Sequence, residues 1–177
     1  DRIHNSALIY KNRIIEGASF QFGYKKEFIF NQSIEENFVC KYGTPRILKK
    51  IKGRTVSLLT GGAGNENYFH WLFDVLPRLA ILEKKFDINK IDFFLIPSIK
   101  KQFQQETLNI LNISKIKLLS SEKYRHITSD EILVTDHPYV ISNPTEDITN
   151  IPHWICNWLR KKFISNSAGK KYPKNIY

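Results

Sequence analysis

The chain has 177 residues, 42% of them apolar and 13% aromatic, and its 27 Lys and Arg against 17 Asp and Glu give a net charge of +10. This is globular rather than disordered material, one domain or one with a small appendage, and long enough for a real core. No apolar run approaches the roughly 18 residues that a membrane span needs; the densest, Tyr68 to Leu82, is interrupted by His70, Asp74, Pro77 and Arg78.

There is no Met, even at position 1, and Asp1 opens into polar, strand-like sequence without a signal-peptide pattern, so the sequence is expected to begin inside a longer chain. Cys40 and Cys156 lie far apart, with no CxxC and no His at ligand spacing. That disfavours zinc and a disulfide framework, and predicts two semi-buried thiols in a reducing compartment. The positive charge is uneven: from Ile151 onward there are six basic residues and no acidic one, ending in Lys170, Lys171 and Lys174. Such a face is either solvated or attracts phosphates, anionic lipid headgroups or nucleic acid.

In chain order, residues 1–54 read as a β-rich segment, with short strands at Ala7–Ile9, Arg13–Ile15, Ser19–Phe22 and Phe28–Phe30. Turn residues Asn12, Gly17 and Gly23 between them predict an antiparallel meander, and Lys49–Arg54 reads as a charged link. Residues 55–177 change character. Apolar strands at Thr55–Thr60, Ile91–Ile96, Ile116–Leu119 and Glu131–Val134 alternate with helical stretches from about Glu66, over Lys100–Leu111 and over Pro152–Ile164. The alternation predicts an α/β fold, a Rossmann-like parallel sheet with flanking helices.

The most informative stretch is Asn67-Tyr-Phe-His70-Trp-Leu-Phe-Asp74-Val-Leu-Pro-Arg78-Leu79. At 100° per residue, positions 67, 70, 74 and 78 fall within an arc of about 80°. Nearly everything else is apolar, so the helix is predicted to be buried almost all round, with one thin polar stripe facing a cleft. His70 and Asp74 at i, i+4 meet on one face, where a carboxylate fixes the tautomer of an imidazole. Such a pair can remove a proton from a hydroxyl; the same spacing equally suits a buried His–Asp–Arg network that only fixes packing. Pro77 predicts a kink or break near Phe73–Leu76.

Gly61-Gly62-Ala63-Gly64 between strand and helix invites comparison with the dinucleotide fingerprint, but Asn67 stands at the third glycine position and the second strand closes on Ile96-Pro97 rather than an acid. A tight turn remains, in which backbone N–H groups near Gly62 and Gly64 reach a substrate oxygen.

Across Asn67–Leu79 the sequence resembles glycosyltransferase family 61, whose members carry Asn-x-x-His-x-x-x-Asp on a helix, in bacteria often as His-Trp-Leu-x-Asp-x-Leu-Pro-Arg-Leu. Asn5-x-Ala7 and Tyr172-Pro-x-x-Ile-Tyr177 are similar as well. The resemblance implies the N-terminal, acceptor-side half of a GT-B fold, cut before the donor-binding domain. It implies inverting transfer from a nucleotide sugar to a glycan acceptor in bacterial capsule or lipopolysaccharide synthesis, with no metal or other cofactor. His70 or Asp74 would accept the acceptor proton, the preferred assignment having Asp74 orient His70. Asn67 and Arg78 would hold acceptor or phosphate oxygens, and His137, just after the fourth strand, would face the cleft or serve structure. The expected location is cytoplasmic, with peripheral contact to the inner face of the membrane and no nucleic-acid partner. The alternative from another class is a non-catalytic basic module for nucleic acid or anionic glycan, which would need basic and aromatic residues on one exposed face.

Overall fold

The structure, a computed structural model, describes residues 5–25, 28–59, 66–113, 117–139 and 151–164. Its centre is a parallel sheet of four strands: β6 (Lys49–Ser57), β7 (Phe93–Ile96), β8 (Lys117–Ser120) and β9 (Ile127–Val134), in the spatial order β8-β7-β6-β9. The chain steps outward from β6 to β7 to β8, then returns to lay β9 on the other side of β6. This is a mixed α/β unit compatible with the Rossmann-like expectation, and its order reverses between β6 and β9.

β7 is a short run of apolar residues, as a strand covered on both faces should be: Phe94, Leu95 and Ile96 are all buried. β6 differs, because its first half alternates exposed Lys50 and Lys52 with partly buried Ile51. The expected link over Lys49–Arg54 is therefore strand, pairing Lys49–Ile51 with Ile127–Ser129 of β9. A register shift between Ile51 and Arg54 makes the stretch look irregular in sequence. At the shift Gly53 adopts φ +107, and a Cβ there would come 2.5 Å from Asp92 Oδ2. Asp92 accepts from Arg54 N–H at 2.7 Å, and Asp130 accepts from Gly53 N–H at 2.7 Å. β6 thus runs across position 54, and β9 starts four residues earlier than the apolar run at Glu131–Val134 indicates.

The helix after β6 is built in three pieces: α2 (Tyr68–His70), a π-helical turn over Trp71–Val75, and α3 (Pro77–Glu83). The π turn answers the expected kink. Leu76 N–H bonds back five residues to Trp71 O at 3.1 Å, and Pro77, which has no N–H to give, follows directly. Trp71, Val75, Leu76 and Leu79 join Val56, Phe94 and Leu108 in the core. Burying each such side chain contributes roughly 1.5–3 kcal/mol. Trp71 Nε1–H donates to Thr107 Oγ1 at 2.8 Å, fastening the turn to α4 (Gln102–Ile110). α5 (His153–Phe163) packs against α3 and α4, with Ile155 buried and Lys162 paired to Glu83 at 2.7 Å.

Before the sheet, β1 (Asn5–Ser6), β4 (Phe20–Lys25) and β5 (Phe28–Asn31) form one antiparallel sheet, and β2 (Ile9–Tyr10) and β3 (Arg13–Ile14) a separate hairpin. The hairpin turns through Lys11 and Asn12 at φ 47 and 61. Gly23, expected in a turn, lies inside β4 opposite Phe30. The segment is tied together by Asn37, which is fully buried: its Nδ2 donates to Ser6 O and Phe20 O, and its Oδ1 caps α1 (Phe38–Tyr42). Cys40, expected to be semi-buried, is exposed on α1, whereas Cys156 is intermediate. No helix among the described residues is long and apolar enough to cross a membrane.

Candidate functional site

In open parallel sheets, ligands bind beyond the carboxyl ends of the strands, where the strand order reverses. Here that point lies between β6 and β9. The chain leaving β6 enters the α2–π–α3 helix, which carries His70 and Asp74; the chain leaving β9 runs Thr135-Asp136-His137-Pro138-Tyr139. The two exits meet at Asp74.

Asp74 is buried, 6% exposed at its side chain, and both carboxylate oxygens are engaged. Oδ2 lies 2.7 Å from His70 Nδ1, across the i, i+4 spacing of the helix. Oδ1 accepts from Tyr139 Oη–H at 2.5 Å and stands 3.7 Å from His137 Nε2. A carboxylate offers only acceptors, so the nitrogen it meets on His70 carries the hydrogen. In the neutral ring the lone pair is then on Nε2. The His70 side chain is 27% exposed, the most open member of the group. His137 is steadied from several sides: Nδ1 lies 2.8 Å from Tyr139 O, and the ring meets Tyr139 and Phe20 edge-on at 4.6 and 6.3 Å between centroids.

Asn67 opens the helix. Its Oδ1 accepts from Phe69 N–H at 2.8 Å, a direct N-cap, while Glu66 before it turns the chain at φ 60. Asn67, expected to hold acceptor or phosphate oxygens, thus uses its side-chain oxygen as a cap. Arg78 departs further from expectation. It is fully buried, its Nε–H donates to Thr135 Oγ1 at 2.8 Å, and Nη1 and Nη2 donate to Leu59 O and Thr135 O. These acceptors lie just past the ends of β6 and β9, so Arg78 staples the two strand exits together beneath the site rather than facing outward. Burial pushes the guanidinium down to about 10, against the pull of Asp136 and Asp74, and it stays charged at neutral pH. The Phe20 ring lies against it at 5.4 Å.

His70, Asp74 and His137 therefore come together, Asn67 stands at the helix start, and Arg78 lies below. Gly62 and Gly64, and the Tyr172–Tyr177 segment, lie outside the described residues. Tyr139 was not anticipated. Its signal was present as a hydroxyl-bearing aromatic two residues after His137, but without the strand order nothing joined it to the helix after β6.

The pair is at the C-terminal end of the sheet. Among the described residues, one depression is bounded by Leu79, Ile88 and Ile113 and another by Leu82, Phe86 and Thr135. Neither contains His70 or Asp74. No group of three or more His, Cys, Asp and Glu among the described residues is arranged to hold a metal ion. What the cluster can do is accept a proton: an imidazole with a fixed tautomer, backed by a buried carboxylate that is itself held by a phenol. No protein-family model, curated protein or solved structure matches this chain.

Proposed function

We propose that this chain is the acceptor-side half of an inverting glycosyltransferase of the family 61 type, in which His70 is the general base and Asp74 orients it. The observation that carries the reading is Asp74 bridging His70 Nδ1 and Tyr139 Oη where the sheet order reverses. The Asn-x-x-His-x-x-x-Asp-x-x-Pro-Arg resemblance supplies the reaction class, and the geometry is what such a base requires.

In the proposed step, an acceptor hydroxyl gives its proton to His70 Nε2 as its oxygen bonds to the anomeric carbon of a nucleotide sugar. The bond from that carbon to the phosphate oxygen breaks, the nucleoside diphosphate leaves with the electron pair, and the configuration inverts. Asp74 stabilises the imidazolium that forms. Donor binding is assigned to a second domain of a GT-B arrangement. Within this chain, His137 and Tyr139 hold Asp74, Asn67 starts the helix, and Arg78 fixes the strand exits.

The test is transfer activity in the enzyme that carries both halves. His70→Ala removes the base. Asp74→Asn keeps the shape, but its amide now donates to Nδ1, which moves the ring hydrogen to Nε2 and abolishes the acceptor. Each is expected to lower turnover by roughly 10²–10⁴-fold, and the double variant to be little worse, because the two act as one unit. A His70→Ala enzyme that turns over normally, with its stability reduced, would make the cluster a packing network and remove the assignment.

A further inference from the structure

The opposite edge of the sheet has a different character. Parallel strands share one N-terminal end, and there the chain before β6 meets the turn before β9. Lys49 N–H donates to His126 O at 3.0 Å, His126 Nδ1 lies 2.8 Å from Pro45 O, and Lys49 Nζ donates to Lys123 O at 2.5 Å while lying over the Tyr124 ring. On this braced edge every residue from 41 to 48 is exposed. Tyr42 is 78% exposed, Ile47 75% and Leu48 45%. Phe38, also exposed, meets Tyr42 edge-on at 5.5 Å.

Cations predominate there, with Glu36 paired to Lys41 and Glu122 paired to Lys100 at 2.9 Å. Arg46, Lys50, Lys123 and Arg125 are exposed, and neither residues 37–50 nor residues 123–129 contain an Asp or Glu. We propose that this N-terminal edge, where Tyr42, Ile47 and Leu48 stand among Arg46, Lys123 and Arg125, is a docking surface for an anionic lipid bilayer.

A bilayer accepts both chemistries at once: aliphatic side chains enter the boundary between headgroups and acyl chains while cations stay with the phosphates. A second copy of the chain would bring the same positive charge to the contact. Three apolar side chains also fall well short of the roughly 800 Å² per partner of a standard interface. Nucleic acid would use the cations, and gains nothing from aliphatic Ile47 and Leu48. None of its residues belongs to the basic stretch after Ile151, and it does not depend on the glycosyl-transfer reading.

Co-sedimentation with phosphatidylcholine vesicles, with and without phosphatidylglycerol, tests the proposal. The chain should sediment with the mixed vesicles, not the neutral ones, and added salt should weaken retention. Ile47→Ser with Leu48→Ser should lower partitioning about tenfold at unchanged charge, and Arg46→Gln or Arg125→Gln roughly fivefold each. Because all four side chains are exposed, thermal melts should match the parent. Hydrogen exchange on the unmodified chain should slow over residues 41–48 when mixed vesicles are added, which needs no variant. Failure to bind, equal binding to neutral vesicles, or retention lost only on neutralising Lys170, Lys171 and Lys174 would overturn the proposal. So would an oligomer in light scattering that Ile47→Ser dissolves, or single-stranded DNA binding that needs these residues while vesicles are ignored.

Discussion

Asp74 and Arg78 stand one helical turn apart on the same stripe, both charged and both buried, yet the turns that carry them differ in what they leave over. Arg78, in the regular α3 turn, directs its guanidinium at two backbone carbonyls and a threonine, all part of the fold. Asp74, in the π-helical turn, is held by His70 and Tyr139, side chains that can themselves lose or gain a proton. Burial of a charge therefore does not mark chemistry. The partners do: a charge satisfied by backbone braces the fold, whereas a charge satisfied by titratable side chains can pass its influence to a substrate.

The largest effect expected from this contrast is on stability at Arg78. Arg78→Met fills much of the volume but leaves Leu59 O and Thr135 O buried without donors, at a cost of about 3–5 kcal/mol. Urea unfolding should show it as a lower midpoint, while turnover per folded molecule stays near that of the parent under the proposed reaction. Asp74→Asn should do the reverse, keeping its midpoint and losing turnover. If Arg78→Met instead stays folded and raises KM for the acceptor, the arginine faces substrate and the contrast fails.

Tyr139→Phe probes the other side with a smaller change. It removes one donor from a buried carboxylate, and hydrogen bonds to charged groups are worth about 1.5–3 kcal/mol. Under the proposed reaction Tyr139 is a positioning residue, so the variant should lower kcat roughly tenfold with KM unchanged, well short of the loss at His70. An unchanged kcat alongside reduced stability would leave Tyr139 a structural ligand only.

The helix and its stripe were legible in sequence because 3.6-residue periodicity places His70 beside Asp74 whatever the rest of the chain does. The alternation of strands and helices after residue 55 similarly points to a parallel sheet, and β7 lies in the apolar run that marks it. Three things were not legible. Lys49–Arg54 hides a strand because its exposed lysines and the Gly53 shift break the pattern on which strand recognition depends. Arg78's role was lost because Thr135 and Leu59, its acceptors, are distant in sequence and adjacent only through the pairing of β6 with β9. Tyr139 was missed for the same reason, since local periodicity carries no information about which strand returns to which side.

Asn67 gives the smallest effect and the most discriminating one for the start of the stripe. Its Oδ1 satisfies Phe69 N–H at the first turn, and replacing such a cap by alanine costs about 1 kcal/mol. Because α2 has only three residues before the π turn begins, little helix lies between the cap and His70, and fraying should reach the base. Asn67→Asp keeps the acceptor and adds a negative charge where the helix dipole favours it, so it should restore stability. A cap role predicts that Asn67→Asp also restores turnover lost in Asn67→Ala. A substrate-holding role predicts the opposite, because the carboxylate lacks the amide's donor and repels a phosphate: stability would return while KM stayed high. Measuring melting temperature and KM on the parent and these two variants separates capping from contact with substrate at one residue.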